Sequence, residues 1–165
     1  MVDAETLDAA ERLLAAFRRR GLRIATAESC TGGLIAAALT AVAGSSDVVD
    51  RGFVTYSNEA KTELLGVAPA LIASVGAVSE AVVRGMAEGA LVRSRADAAV
   101  AVTGIAGPGG GSAGKPVGLV WFGLAWRNRP VLAQSRVLPG DRTEIRRATV
   151  AHALHLLMQG VRQGE

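Results

Sequence analysis

The sequence predicts an α/β protein with three layers, α/β/α, on a mixed, mostly parallel sheet that ends in a C-terminal antiparallel hairpin. Three observations predict it. Along the 165 residues, apolar positions switch repeatedly between helical spacing and short continuous runs. One late pair of runs is joined by a tight turn, the signature of antiparallel neighbours. Half the residues are apolar but only 4% are aromatic, so the core is built from Ala, Val, Leu and Ile, with many small residues that let helices approach a sheet closely.

The elements follow in order. Leu7, Ala10, Leu14 and Phe17 recur at helical spacing, Gly21 stops that helix, and Leu22 to Ala27 read as a short buried strand. A second helix is expected from about Thr31 to Ala43, then a turn at Gly44-Ser45-Ser46-Asp47 and a strand from Val48 to Tyr56, with Gly52 marking a bulge. Asn58 is expected to cap a helix running to Gly66, and a short helical turn covers Ala70 to Ser74 after Pro69. Ser79 caps a longer helix whose apolar positions Val83, Met86, Ala87, Ala90 and Leu91 share one face. A strand from Asp97 to Val102 leads into a glycine-rich loop, Gly104 to Gly114. The strands Gly118–Trp126 and Val131–Leu138, joined at Asn128-Arg129-Pro130, and a helix from about Arg142 to Met158 complete the chain.

This length suits one compact domain over residues 1–165, and a chain of about 150 residues buries roughly 68–70% of its unfolded surface. Glu11, Arg12 and Arg18-Arg19-Arg20 interrupt the N-terminal apolar stretch, so neither a signal peptide nor a membrane span is expected, and the expected location is cytoplasmic. Cys30 is the single cysteine, which excludes an internal disulfide and any multi-cysteine metal site. The net charge is only +3 and the arginines are scattered without stacking aromatics, which argues against nucleic acid as a partner. Arg18 to Arg20 read instead as a helix end, where cations complement the dipole.

The loop at 104–114 resembles three motifs and satisfies none. Gly109, Gly111 and Gly114 spell a dinucleotide fingerprint, but that motif must open a helix, and Lys115-Pro116 leads into an apolar strand. Pro116 stands where a phosphate-binding loop needs Ser or Thr for magnesium. Ser112 and Lys115 spell S-x-x-K, a pair that requires a helical turn to face each other. What remains is a flexible loop or a run of glycine N–H groups that approach an anion, with Lys115 as a nearby point charge. His152 and His155 share a helix face but lack the carboxylate or cysteine partners of a metal site, so no metal is expected.

The reactive residues concentrate at two strand–helix junctions, Thr26-Ala27-Glu28-Ser29-Cys30-Thr31-Gly32-Gly33 and Tyr56-Ser57-Asn58-Glu59-Ala60-Lys61. Ser29 reads either as a helix N-cap or as an exposed nucleophile whose oxyanion would meet the N–H groups of residues 30–33. Cys30 is a rival nucleophile, though strand alternation turns it toward the core. Lys61, third in a helix capped by Asn58, sits where the dipole disfavours a cation. It reads either as a surface lysine partnered by Glu59 or Glu63, or as a buried amine held neutral to act as a base, with burial supplying most of the effect.

Together with Leu64-Leu65-Gly66-Val67, Gly76-Ala77-Val78-Ser79, Thr103 to Gly110, Lys115-Pro116-Val117-Gly118 and Gly140-Asp141-Arg142, these junctions closely resemble the C-terminal domain of the CinA competence/damage-inducible family over nearly the whole chain. That resemblance implies hydrolysis of the carboxamide of nicotinamide mononucleotide (NMN) to nicotinate mononucleotide and ammonia, in pyridine-nucleotide salvage. It also implies a cofactor-free serine–lysine mechanism and a homo-oligomer, with a dimer favoured. Carried over residue by residue, Ser29 resembles the nucleophile, Lys61 its base and Tyr56 a hydroxyl that relays or holds the proton. Substrate contacts are implied for Thr31, Gly32, Gly33 and Asn58, for Thr103, Gly104, Gly107, Gly109 and Gly110 of the loop, and for Arg142, a phosphate-binding arginine. Glu28 is implied near Lys61 or the ribose hydroxyls. Ser112-Ala113-Gly114 and Leu138-Pro139 depart from the family's usual residues. A catalytically silent nucleotide-binding module of the same fold is the alternative, and a DNA-associated factor has only the family's name and the basic charge behind it.

Overall fold

Asp3 sets the first helix: its carboxylate accepts from the Thr6 N–H at 2.8 Å, and α1 runs Ala4–Arg19. The computed structural model describes residues 2–164. Five strands, β1 (Ile24–Glu28), β2 (Val49–Val54), β3 (Ala98–Gly104), β4 (Leu119–Trp126) and β5 (Leu132–Val137), form one sheet in the order β2-β1-β3-β4-β5. The β2-β1-β3 portion is parallel; β3-β4 and β4-β5 are antiparallel. Four strands therefore share a direction and β4 runs against them, which is the mixed sheet with a terminal hairpin that the periodicities predict.

The period-two alternation of each strand divides the core between two helical layers. Ile24, Val100, Val102, Phe122 and Leu124 pack with Leu14 and Phe17 of α1, with Leu39 of α2 (Leu34–Thr40), and with Leu154 and Leu157 of α6 (Arg142–Arg162). The opposite face presents alanines, Ala25, Ala27, Ala99, Ala101 and Ala125. Against these lie α3 (Asn58–Leu65), α4 (Pro69–Val75) and α5 (Glu80–Val92). Small side chains on this face let α5 sit close to the sheet: a Cβ on Gly123 would lie 2.7 Å from the Val83 carbonyl oxygen, and one on Gly89 would collide with the Leu65 carbonyl. The scarcity of aromatics is thus a packing requirement of one layer.

Several boundaries differ from the sequence reading, each for a local reason. The second helix begins at Leu34 rather than Thr31, because residues 29–33 form a turn that ends in Gly32 and Gly33 at φ 59° and 102°. Ser57, not Asn58, caps α3, its Oγ accepting from Ala60 N–H at 3.0 Å. The irregularity in β2 falls between the partners of Ile24 and Ala25, Val49 and Arg51, not at Gly52. Gly52 pairs regularly with Thr26, and its missing side chain makes room for Thr26 Oγ1, 2.8 Å from where a Cβ would stand. The last helix extends to Arg162, and its start carries a full capping box between Asp141 and Glu144. Arg18 pairs with Asp47 at 2.6 Å, and Arg20 donates to the Val161 carbonyl at 2.6 Å, so these two of the three helix-end arginines are engaged within the molecule. Among the described residues no helix is long and apolar enough to cross a membrane.

Candidate active site

Strand alternation decides what stands beside what. Glu28, last in β1, turns toward α2, so Ser29 turns toward α3, and its N–H donates to Val102 O at 3.1 Å to prolong the sheet by one residue. Lys61 of α3 meets it there. Its Nζ lies 3.0 Å from Ser29 Oγ, 2.8 Å from Thr55 O and 3.4 Å from Ser57 O. The lysine is 1% exposed, and the five ion pairs among the described residues include neither Glu59 nor Glu63. The surface-lysine reading is therefore excluded.

Burial holds the Lys61 pKa below the ordinary lysine value, because the ammonium loses its water. The helix dipole matters less than its expected position implied: with Ser57 as cap, Lys61 is the fourth helical residue, and its own N–H already donates to Ser57 O. A neutral amine has two donors and one lone pair. In that form, donation to Thr55 O and Ser57 O would leave the lone pair for the Ser29 hydroxyl, the arrangement a base requires. Cys30 is no rival: it is 6% exposed, packs in the α1–α2–α6 core, and burial pushes its thiol up to about 11.

Glu28 takes a different place from the one its family likeness implied. Fully buried, it accepts from Thr31 Oγ1 at 2.6 Å, from the N–H groups of Ala36, Ile35 and Gly33 at 2.8, 2.9 and 3.2 Å, and from Thr26 Oγ1 at 3.4 Å. It has no hydrogen bond to Lys61. Its carboxylate is the cap of α2, an anion resting on helix N–H groups, and it fastens the turn that carries Ser29. The Thr31 hydroxyl is spent in this network. Of the four N–H groups expected to face an oxyanion, Gly32 donates to Ser29 O at 3.0 Å and Gly33 to Glu28. Among the described residues, the N–H groups of Cys30 and Thr31 donate to no backbone carbonyl, so these two are left available to a charge at Ser29.

Tyr56 and Arg142 meet at the rim. Arg142 Nη1 donates to Gly107 O at 2.9 Å, and Nη2 to Tyr56 Oη at 3.1 Å. Tyr56 is 60% exposed and has no hydrogen bond to Ser29 or Lys61, so the structure places it beside the arginine rather than on a proton path between the two. Thr103 Oγ1 donates to Ala77 O at 2.9 Å, which ties the end of β3 to the segment before α5, while Gly104 pairs with Val120 within the sheet. Gly109 and Gly110 stay exposed, and so does Asn58 at the first position of α3. The loop contains no helix, and Lys115 Nζ is committed to Val75 O at 2.7 Å, far from acting with Ser112 as a pair.

The family model for the C-terminal domain of CinA matches residues 6–161. The chain belongs to that family. A nicotinamide-nucleotide amidohydrolase, PncC, from Escherichia coli K12 is 49% identical to this CinA-type domain over 159 residues, 96% of each chain. A CinA-like protein from Mycolicibacterium gilvum is 55% identical over 144 residues, which are 87% of this chain and 34% of that longer one. Among solved structures, the competence/damage inducible protein CihA from Agrobacterium tumefaciens superposes with a TM-score of 0.93 at 55% identity, covering 96% of this chain and 97% of that one.

Two groups outside the dyad complete the picture of this CinA-type domain. His152 packs edge-on against Phe122, with ring centroids 4.6 Å apart, and sits 2.9 Å from Gln134 Nε2. Burial lowers its pKa to about 4, which keeps the ring neutral, and its ring nitrogen meets Gln134 rather than Ser29. An apolar groove of about 490 Å³ beside it, between β5 and α6, is lined by Trp126, Leu132 and Leu156 and holds neither Ser29 nor Lys61. Sequence reasoning missed Arg146, whose guanidinium bonds the carbonyls of Cys30 and Thr31 at 3.2 and 3.1 Å. Its spacing of four from Arg142 on one helix was the available signal.

Proposed function

We propose that this chain hydrolyses the carboxamide of nicotinamide mononucleotide, giving nicotinate mononucleotide and ammonia, with Ser29 as nucleophile and Lys61 as its base. The contact that carries the reading is the 3.0 Å approach of a buried lysine amine to a serine hydroxyl at a strand end. The substrate class comes from the relatives named nicotinamide-nucleotide amidohydrolases. Neutral Lys61 takes the Ser29 proton as Oγ attacks the amide carbon; the oxyanion meets the free N–H groups of Cys30 and Thr31. Protonated Lys61 then gives its proton to the departing ammonia. Water, deprotonated by the same amine, cleaves the acyl-enzyme and returns Ser29.

Arg142 is the phosphate anchor in this reading, for it has planar donors to spare beyond Gly107 O and Tyr56 Oη, and remote binding energy fixes the amide near Ser29. Arg142→Ala should raise KM for NMN roughly 10- to 100-fold, the worth of a charge-assisted hydrogen bond, and leave that for the phosphate-free riboside unchanged. Equal effects on both substrates would remove the phosphate role. The defining experiment is ammonia release by the purified protein from NMN, nicotinamide and NAD: turnover of NMN well above the other two is expected, and none at all would favour a silent binding module.

The pH profile tests the base. Only the neutral amine accepts a proton, so kcat/KM should rise with pH through the lowered Lys61 pKa, with a midpoint below the ordinary lysine value of 10.5. Stability shares this sign. Between the folded and unfolded pKa values the unfolded chain holds the extra proton, so the cost of burying the amine fades as pH rises toward 10.5. A rate that falls over that window would show that the charged lysine is the working form.

A further inference from the structure

The Ser29 turn lies above a buried anion. Glu28 is fully enclosed, and its carboxylate holds Gly33 N–H within the same turn that must accommodate a second negative charge when an amide carbonyl is attacked. Like charges at close range in a low-dielectric site repel. Arg146, on the second turn of α6 and four residues after Arg142, also reaches that turn. Its Nε donates to Cys30 O at 3.2 Å and its Nη2 to Thr31 O at 3.1 Å, so one planar fork bridges two consecutive carbonyls.

A trans peptide is rigid, and its C=O and N–H point in opposite directions. Fixing the Cys30 carbonyl on the guanidinium therefore fixes the Thr31 N–H, which belongs to the same peptide unit, pointing away from α6. Fixing the Thr31 carbonyl likewise fixes the Gly32 N–H, which closes the turn on Ser29 O at 3.0 Å. Of the two N–H groups so aimed, Gly32 is used and Thr31 is free. The guanidinium also polarises the Cys30–Thr31 peptide, making its N–H a stronger donor.

We propose that Arg146 is a positioning residue for the reaction, one that holds the Cys30–Thr31 peptide so that Thr31 N–H serves as an oxyanion donor and offsets the buried charge of Glu28. The inference rests on the Ser29–Lys61 reading given above. It differs from that of a substrate-binding arginine, because both carbonyls it grips belong to the protein backbone and neither leaves with product. Its contribution is confined to the tetrahedral stage, where charge develops on the oxygen.

The test compares Arg146→Lys and Arg146→Gln with the unaltered chain on NMN and on the analogue whose carboxamide is replaced by an aldehyde. In that analogue Ser29 Oγ adds to the aldehyde carbon, the Ser29 proton passes to Lys61, and the former carbonyl oxygen becomes the anion of the adduct. The glutamine variant should lose about 10²-fold in kcat, the usual cost of a misplaced catalytic group, with KM for NMN within about 3-fold. Its affinity for the aldehyde should fall by the same factor as kcat. The lysine variant, which keeps the charge but not the fork, should lie between, and it gives the reading if glutamine prevents folding. Each is assayed well below its own melting temperature. A rise in KM with kcat unchanged would make Arg146 a ground-state binding group and overturn the proposal, as would unaltered aldehyde affinity. Ser29→Ala separates the two levels: if it retains tight aldehyde binding, the dyad reading fails and this inference with it; if it loses that binding while Arg146→Gln does not, only the role of Arg146 falls.

Discussion

Replacing Ser29 with alanine is expected to lower kcat/KM for NMN by more than about 10³-fold, and Lys61→Ala should cost nearly as much. The two act as one unit across a single 3.0 Å contact, so the double variant should be hardly worse than either alone. The structural consequences differ, which separates loss of chemistry from loss of fold. Ser29 is a small side chain, and its removal leaves Lys61 Nζ still donating to Thr55 O and Ser57 O. Lys61→Ala empties a fully buried volume beneath α3 and is expected to destabilise by about 2–5 kcal/mol as a truncation of a long buried side chain. Lys61→Met fills that volume and should fold while remaining inactive. Ammonia release from NMN, read beside thermal unfolding, checks all four variants; full activity in Lys61→Met would remove the lysine from the mechanism.

The second large effect is expected at Glu28, whose carboxylate is enclosed between the Ser29 turn and α2. Glu28→Ala strips acceptors from the N–H groups of Gly33, Ile35 and Ala36 and from the Thr31 hydroxyl, all in the interior or at its edge. Each unsatisfied buried donor costs about 1–3 kcal/mol, with water entering the emptied site to recover part of it, so a net loss of roughly 3–5 kcal/mol follows. For a chain of this size that is a fall of about 6–20 °C in melting temperature. Activity should fall too, even at low temperature, because the turn that aims Ser29 loses its floor. Glu28→Gln keeps one oxygen and should lie between. A Glu28→Ala protein with unchanged melting temperature but a raised KM would show that the carboxylate serves the substrate after all.

These two residues also show what was legible in advance. Ser29 and Lys61 stood out in the sequence because a reactive hydroxyl followed a buried strand and a lysine stood early in a helix, both local patterns. Glu28 stood out equally and its role was read differently, since a carboxylate between a strand and a turn gives no sign of whether it looks toward substrate or back into the next helix. Tyr56 shows the same ambiguity: its position beside the junction was plain, but its hydroxyl goes to Arg142, eighty-six residues away. α2 starts three residues later than its sequence predicts because a side chain five to eight positions upstream, Glu28, claims the N–H groups of Gly33, Ile35 and Ala36. Arg146 went unread for a related reason: its partners are backbone carbonyls, which leave no mark on residue type.

The sequence by itself determined the alternation of strands and helices, the alanine-rich core, the late hairpin and the two junctions where reactive side chains gather, because periodicity, composition and turn residues act over a few neighbours. Only the tertiary structure decided that Lys61 is buried against Ser29, that Glu28 is a cap, and that Cys30 and Thr31 alone keep free N–H groups in the turn. Those outcomes depend on which strand lies beside which and on which face each residue turns to. The Lys61–Ser29 contact joins residues 32 apart in the chain and the Arg146–Thr31 contact residues 115 apart, and their geometry is fixed by packing rather than by local preference.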